Sequence, residues 1–152
     1  MLRFRGVSNL SLDTKGRIVL PARYRERLIE ICNSQLVVTI DTDHPCLLIY
    51  PLNEWEIIEE KIEALPSFNP TTRRIQRFLI GHATDIEVDT NGRVLLSNPL
   101  REYAQLGRKV VLIGQGKKFE LWDEVLWAQC MGEWQGGKTD AEMPEALAEL
   151  SL

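Results

Sequence analysis

The chain has 152 residues, 44% of them hydrophobic, which is room for one ordinary domain or for two very small ones that share a core. A net charge of −4 gives no general attraction to polyanions, yet Met1 to Arg27 carry seven cations against Asp13 and Glu26, so one face can still be basic. No apolar run approaches the roughly 20 residues of a membrane-spanning helix; the basic start "MLRFRGVSN" is followed by no apolar leader, and three scattered cysteines without a Cys-x-x-Cys suit a reducing compartment, so a cytoplasmic protein is expected.

Along the chain, a strand is expected over Val7 to Leu12, a turn at Asp13 to Gly16 and a strand over Arg17 to Leu20, which together read as a hairpin. Pro21 suits a helix start, and that helix runs to about Cys32. Strands Leu36 to Ile40 and Cys46 to Tyr50 follow, joined by the turn "DTDHP". Asn53 caps a helix to about Leu65, and Asn69-Pro70 starts another with Ile75, Phe78, Leu79 and His82 on an apolar face. Around that helix Arg73, Arg74 and Arg77 read as a solvated face, the alternative being a phosphate or subunit contact. Strands Thr84 to Val88, Arg93 to Leu96, Val110 to Gly114 and Lys118 to Trp122 complete the pattern, with Ser97 or Asn98 capping a helix from Pro99 to Leu106. Beyond Met131 the tail reads as a helix around Glu142 to Leu150 or as a linker, given Gly136-Gly137 and Pro144.

The chain repeats itself. "LDTKGRIVL", Leu12 to Leu20, aligns without gaps on "VDTNGRVLL", Val88 to Leu96; two inserted residues then place Pro21 and Arg23 on Pro99 and Arg101. "LVVTI" matches "VVLIG", and Ile49, Tyr50 and Trp55 match Leu121, Trp122 and Trp127. The units read as 7–54 and 83–126, with a helical connector over 55–82 and a tail over 127–152. Each unit is too short to offset its chain entropy alone, so one shared core is expected. That implies an α+β fold with an intramolecular pseudo-twofold, in which interlocked hairpins form a barrel-like β core flanked by helices.

In each turn the aspartate suits an Asx-turn, Gly16 or Gly92 suits a positive φ, and Asp13/Arg17 and Asp89/Arg93 are placed to pair. Turn chemistry alone can account for each set, the arginine closing the hairpin on its aspartate, but its recurrence in register in both copies weakens that reading and asks for a further role for Lys15, Arg17 and Arg93. An arginine fork matches guanine O6 and N7, and lysine suits a phosphate. Arg5, Arg23 and Arg25 are further candidates for phosphate, with solvated helix charge as the plainer reading of the last two.

"LDTKGRIVLPARYRERL" and its echo "VDTNGRVLLSNPLREYAQL", with "FRG" at Phe4 to Gly6, "HPCLLIYPLNEWE" at His44 to Glu56 and "GHA" at Gly81 to Ala83, resemble the MraZ family of bacterial transcriptional regulators and, more distantly, AbrB-like swapped-hairpin transcription factors. The resemblance implies two AbrB-like repeats of double-split β-α-β type. It also implies binding to double-stranded DNA at short direct repeats in the promoter of the protein's own operon, a division and cell-wall gene cluster, as a ring-like homo-oligomer at the nucleoid. Carried to this chain, Arg17 and Lys15 become the principal DNA contacts, Arg93 matches Arg17, and Asn91 replaces Lys15. Asp13 and Asp89, with Gly16 and Gly92, support the turns.

No enzyme is expected: Gly-x-Ser-x-Gly and His-Glu-x-x-His are absent, and "GQGKK" at Gly114 to Lys118 reads as a turn. No cofactor and no small-molecule substrate are expected either. His44-x-Cys46 lacks the second ligand pair that zinc requires, so no metal is expected. The competing reading is a structural or antitoxin-type protein-interaction module without specific DNA reading.

Overall fold

The computed structural model describes residues 3–137 and 145–150. Its elements follow the order β1 (Phe4–Ser11), β2 (Arg17–Val19), α1 (Ala22–Cys32), β3 (Gln35–Ile40), β4 (Leu47–Pro51), α2 (Leu52–Glu63), α3 (Pro70–Ile75), β5 (Thr84–Glu87), β6 (Arg93–Leu95), α4 (Asn98–Tyr103), β7 (Lys109–Gly116), β8 (Phe119–Asp123), α5 (Glu124–Gln135) and α6 (Glu145–Ala148). Six strands form one sheet in the order β1-β7-β8-β4-β3-β5, and β2 pairs with β6 in a separate two-stranded ribbon.

This pairing is reciprocal between the two halves of the chain. β1 of the first half pairs with β7 of the second, while β5 of the second pairs with β3 of the first. The registers place a pseudo-twofold through Ile18↔Val94 in the ribbon and through Leu48↔Glu120 in the large sheet. The two repeats are therefore interlocked and share one core, in an α+β arrangement. β1 and β2 do not pair as a simple hairpin, because each belongs to a sheet completed by the other half. At the junctions, Leu12 N–H donates to Arg108 O and Val88 N–H donates to Ser34 O, at 2.7 and 3.0 Å.

Strands that are apolar on both sides must be covered on both sides. One face of the large sheet packs against the ribbon, α1 and α4 through Ile18, Leu20, Tyr24, Leu28, Val94, Leu96, Leu100 and Ala104, all buried. On the other face, Trp55 of α2 packs on Val37, Leu48 and Tyr50, and α5 covers Cys46, Val111, Ile113 and Trp122 with Leu126, Trp127 and Cys130. Trp55 and Trp127 thus play matching parts, as the internal repeat anticipates. Burial pushes the Cys46 thiol pKa well up, so it stays a protonated core group.

Several local expectations are corrected. Helices α1 and α4 begin at Ala22 and Asn98, the same spacing that separates Arg17 from Arg93, so no insertion separates the copies there. Arg25, not Arg23, is the counterpart of Arg101, and Pro21 does not correspond to Pro99. A proline is accepted both just before a helix and in its first turn, which is why it misaligns the two. Asn53 lies inside α2, which starts after Pro51 without a side-chain cap, and Ser97 precedes α4 without a capping hydrogen bond. Asn69 does cap α3, its side chain accepting from Thr71 N–H at 2.8 Å.

α3 continues into a π-helical turn, Gln76–Ile80, which alters the face that periodicity assigns. Leu79 and Ile80 pack inward and Leu79 O accepts from the buried Thr39 hydroxyl, while Phe78 is exposed. α5 occupies the first part of the expected tail, and α6 lies within the helix expected near Glu142 to Leu150. Glu142 and Pro144 themselves fall outside the described residues.

Because the three-residue strands β2 and β6 are held by each other and by the core beneath, Ile18→Ala is expected to cost about 2–5 kcal/mol through the cavity it leaves. Equilibrium urea unfolding measures this; a loss near zero would show that the ribbon does not depend on that contact.

Candidate nucleic-acid interface

The two turns are built alike. Asp13 Oδ1 accepts from Lys15 N–H and Arg17 N–H, both at 2.9 Å, while its Oδ2 accepts from Arg17 Nε at 2.9 Å. Asp89 repeats the set with Asn91 N–H at 2.9 Å, Arg93 N–H at 2.8 Å and Arg93 Nε at 2.9 Å. Gly16 and Gly92 take φ of +89° and +76°, the left-handed region that an L side chain enters only with strain. Each carboxylate thus fixes the turn with one oxygen and the direction of an arginine with the other.

Only the Nε edge of each arginine is used. The Nη edges of Arg17 and Arg93 make no hydrogen bond to protein among the described residues, and both side chains are partly exposed. A guanidinium held by one edge and open on the other is pre-oriented for a bidentate acceptor.

The ribbon then fixes how the turns sit relative to each other. Arg17 is paired with Leu95 and Val19 with Arg93, with Ile18 and Val94 between them facing the core. Strand alternation therefore puts Arg17, Val19, Arg93 and Leu95 on the outer face together. As diagonal neighbours, Arg17 and Arg93 are separated by about 7–8 Å at their backbones. The turns are also tied to each other: Leu20 N–H donates to Gly92 O, and Leu96 N–H to Gly16 O, each at 2.8 Å.

Behind each turn stands an arginine from a helix. Arg101 Nε donates to Leu96 O at 3.1 Å, and its guanidinium lies so close over Gly16 that an added Cβ would meet it at 2.8 Å. Arg25 covers Gly92 in the same way and donates to Asn91 O at 3.3 Å. Arg23 donates to the Ser8 and Tyr24 hydroxyls, each at 3.0 Å, and lies over the Tyr24 ring. Arg23 and Arg25 are therefore bound to the fold, not free surface charges.

Lys15 is exposed at the tip of the first turn and has no ion pair among the described residues. The groove beside it is lined by Arg101 but also by Asp85 and Glu87, which confines the positive character to the turn. Arg5 is exposed near the start of β1, eight residues before Asp13, which at strand rise is roughly 26 Å of chain. The structure therefore groups Lys15, Arg17 and Arg93 and leaves Arg5 apart. Val19, Leu95, Arg25 and Arg101 belong to the assembly too. Alternation in a three-residue strand is too short to signal the first two, and the corrected repeat spacing is the signal for the last pair. Among the described residues, no group of three or more His, Cys, Asp or Glu side chains is placed to hold a metal ion.

The hydrogen bond from Arg17 N–H, opposed by partial desolvation and aided by the Arg17 side chain and Lys15 N–H, holds the Asp13 carboxyl below its usual pKa; Asp89 follows the same pattern with Arg93. A carboxyl with a depressed native pKa stabilises the fold above its unfolded value and loses that contribution as pH falls through the native value. Both turns should thus be fully ordered at neutral pH and loosen only in acid below the ordinary aspartate range. Carboxyl-carbon NMR titration should give midpoints for both aspartates below that range, and ordinary midpoints would mean that the arginine clamp is absent in solution.

The sequence comparisons agree with this architecture. A family model described as "MraZ protein, putative antitoxin-like" matches residues 3–78 and again 79–143, one match for each half of the interlocked fold. Relatives carrying the name "Transcriptional regulator MraZ" include those of Alkalilimnicola ehrlichii, 50% identical, and Halorhodospira halophila, 53% identical, each across 98% of this chain and 99% of the relative. The Legionella pneumophila protein of the same name is 51% identical over the same shares. Two repeats, each with an Asp-x-x-x-Arg turn and joined through swapped strands, are what these matches span, and the chain belongs to the MraZ family.

Proposed function

We propose that this protein is a sequence-specific DNA-binding transcriptional regulator that reads duplex DNA with the outer face of the β2–β6 ribbon. The observation that carries the proposal is the pair of arginines, Arg17 and Arg93, each clamped through Nε by its own aspartate with the outer edge left open. A two-stranded ribbon fits a major groove about 12 Å wide, where arginine makes bidentate contacts to guanine O6 and N7. Lys15 adds a phosphate contact at one end of the ribbon. The names of the relatives support the regulatory role.

The same reading places the protein in the cytoplasm at the nucleoid, acting on direct repeats in the promoter of its own operon as a ring-like homo-oligomer. One ribbon per subunit is a small footprint, so several linked subunits on several boxes gain affinity through effective concentration without new contacts. Leu65, Phe68 and Phe78 support self-association, because they leave large apolar side chains exposed in the segment between the repeats, Phe68 almost completely so. The proposed division of the chain is two repeats, 7–54 and 83–126, with a connector over 55–82 and a tail over 127–152, each repeat supplying one strand of the single ribbon. The antitoxin-like wording of the family description favours a second reading, a partner-binding module that does not read bases.

Anisotropy titration against duplex DNA from upstream of the protein's own gene separates the two. Arg17→Ala should lose roughly tenfold or more in specific binding while the protein keeps its fold and its mass in solution. Wild-type affinity should also fall steeply as salt rises, through counterion release. A mutant that binds like wild type, or a flat salt dependence, would favour the partner-binding module. Sedimentation of a Phe68→Ser, Phe78→Ser double variant should show a smaller assembly, and an unchanged mass would move the subunit contact elsewhere.

A further inference from the structure

The outer face of the ribbon holds two residues that neither the turn chemistry nor the core requires. Val19 is 50% exposed and Leu95 55% exposed, although both lie in strands whose inward neighbours are completely buried. They occupy the same position in the two repeats, one directly across the ribbon from Arg93 and the other directly across from Arg17. Each reading arginine therefore has an apolar neighbour at cross-strand distance, about 5 Å between Cβ atoms. Strand propensity and partial burial account for part of each aliphatic side chain, and the exposed half of each meets no apolar partner among the described residues.

In the major groove, thymine is the base that offers an apolar group, the C5-methyl, and an aliphatic side chain recognises it by contact. Resting on the DNA-reading proposal above, we infer that Val19 and Leu95 are specificity residues that each contact a thymine methyl beside the guanine bound by the neighbouring arginine. The arginine forks supply directed hydrogen bonds to guanine, and the apolar pair between them discriminates thymine from cytosine at positions that a hydrogen bond does not cover. With the arginines about 7–8 Å apart diagonally, the face spans two to three base steps of about 3.4 Å. The footprint is thus compact, with a guanine contact and a methyl contact contributed from each strand of the ribbon.

Uracil tests this without altering the protein, since it differs from thymine only by the absent methyl. In the duplex that wild-type protein protects upstream of its own gene, each thymine is replaced in turn by uracil. At one or two positions per box affinity should fall about fourfold, the effect of exposing one methyl-sized apolar group. Val19→Ala or Leu95→Ala should weaken binding to the thymine duplex by a similar factor and remove the sensitivity to uracil at one of those positions. Indifference of wild-type protein to every uracil, while Arg17→Ala still loses specific binding, overturns the methyl contact and leaves base reading standing. Wild-type protein that fails to discriminate the protected duplex from unrelated DNA overturns both. If Val19→Ala and Leu95→Ala change the solution mass and leave the uracil sensitivity intact, the apolar pair belongs to a subunit contact and the inference is wrong.

Discussion

The pairing of β2 with β6 is the constraint on which the rest of the molecule depends. A strand of three residues cannot hold its shape alone, and these two have their partners in opposite halves of the chain. Once Ile18 and Val94 are buried side by side, alternation fixes what faces outward, and the crossed hydrogen bonds at Gly16 and Gly92 fix where both turns stand. The long strands follow the same exchange, β1 lying on β7 and β5 on β3. Each half keeps one hairpin of its own, β3–β4 or β7–β8, but β1, β5 and both ribbon strands find their partners only across the halves, so folding has to bring the halves together before the full sheet and the ribbon can exist.

The charges on the ribbon have a division of labour. Each aspartate cancels most of the net charge that its arginine would present at a distance, so long-range attraction rests on Lys15 and the surrounding cations. At contact distance the aspartate has the opposite value, because it removes rotational freedom from the guanidinium before the proposed DNA contact forms. That arrangement favours discrimination among sequences over general affinity for polyanions, and it fits a protein whose net charge is negative.

Much of this was legible in the sequence, because the repeat is gapless through the turns and an Asp-x-x-x-Arg with glycine in fourth place specifies one kind of turn. The shared core followed from size alone. What sequence could not carry was spacing after the repeat degenerates: α1 and α4 differ in length, and the prolines beside their starts fall in different places, so aligning the prolines displaced Arg25 from its match with Arg101. Phe78 was misplaced for a different reason, since a π-helical turn shifts every later residue around the axis and no residue type announces it. Val19 and Leu95 look like ordinary strand interior until the pairing partner is known.

The pseudo-twofold is imperfect, and the imperfection lies on the outer face of the ribbon. A reader with strict twofold symmetry presents the same surface when turned end for end, so it suits palindromic half-sites. Here Lys15 stands at one end of the ribbon and Asn91 at the other, and Val19 across from Arg93 is smaller than Leu95 across from Arg17. The ribbon consequently has a head and a tail. On the DNA-reading proposal, a duplicated chain that has lost the equality of its halves gains a sense of direction along the double helix, and subunits on direct repeats would then face the same way.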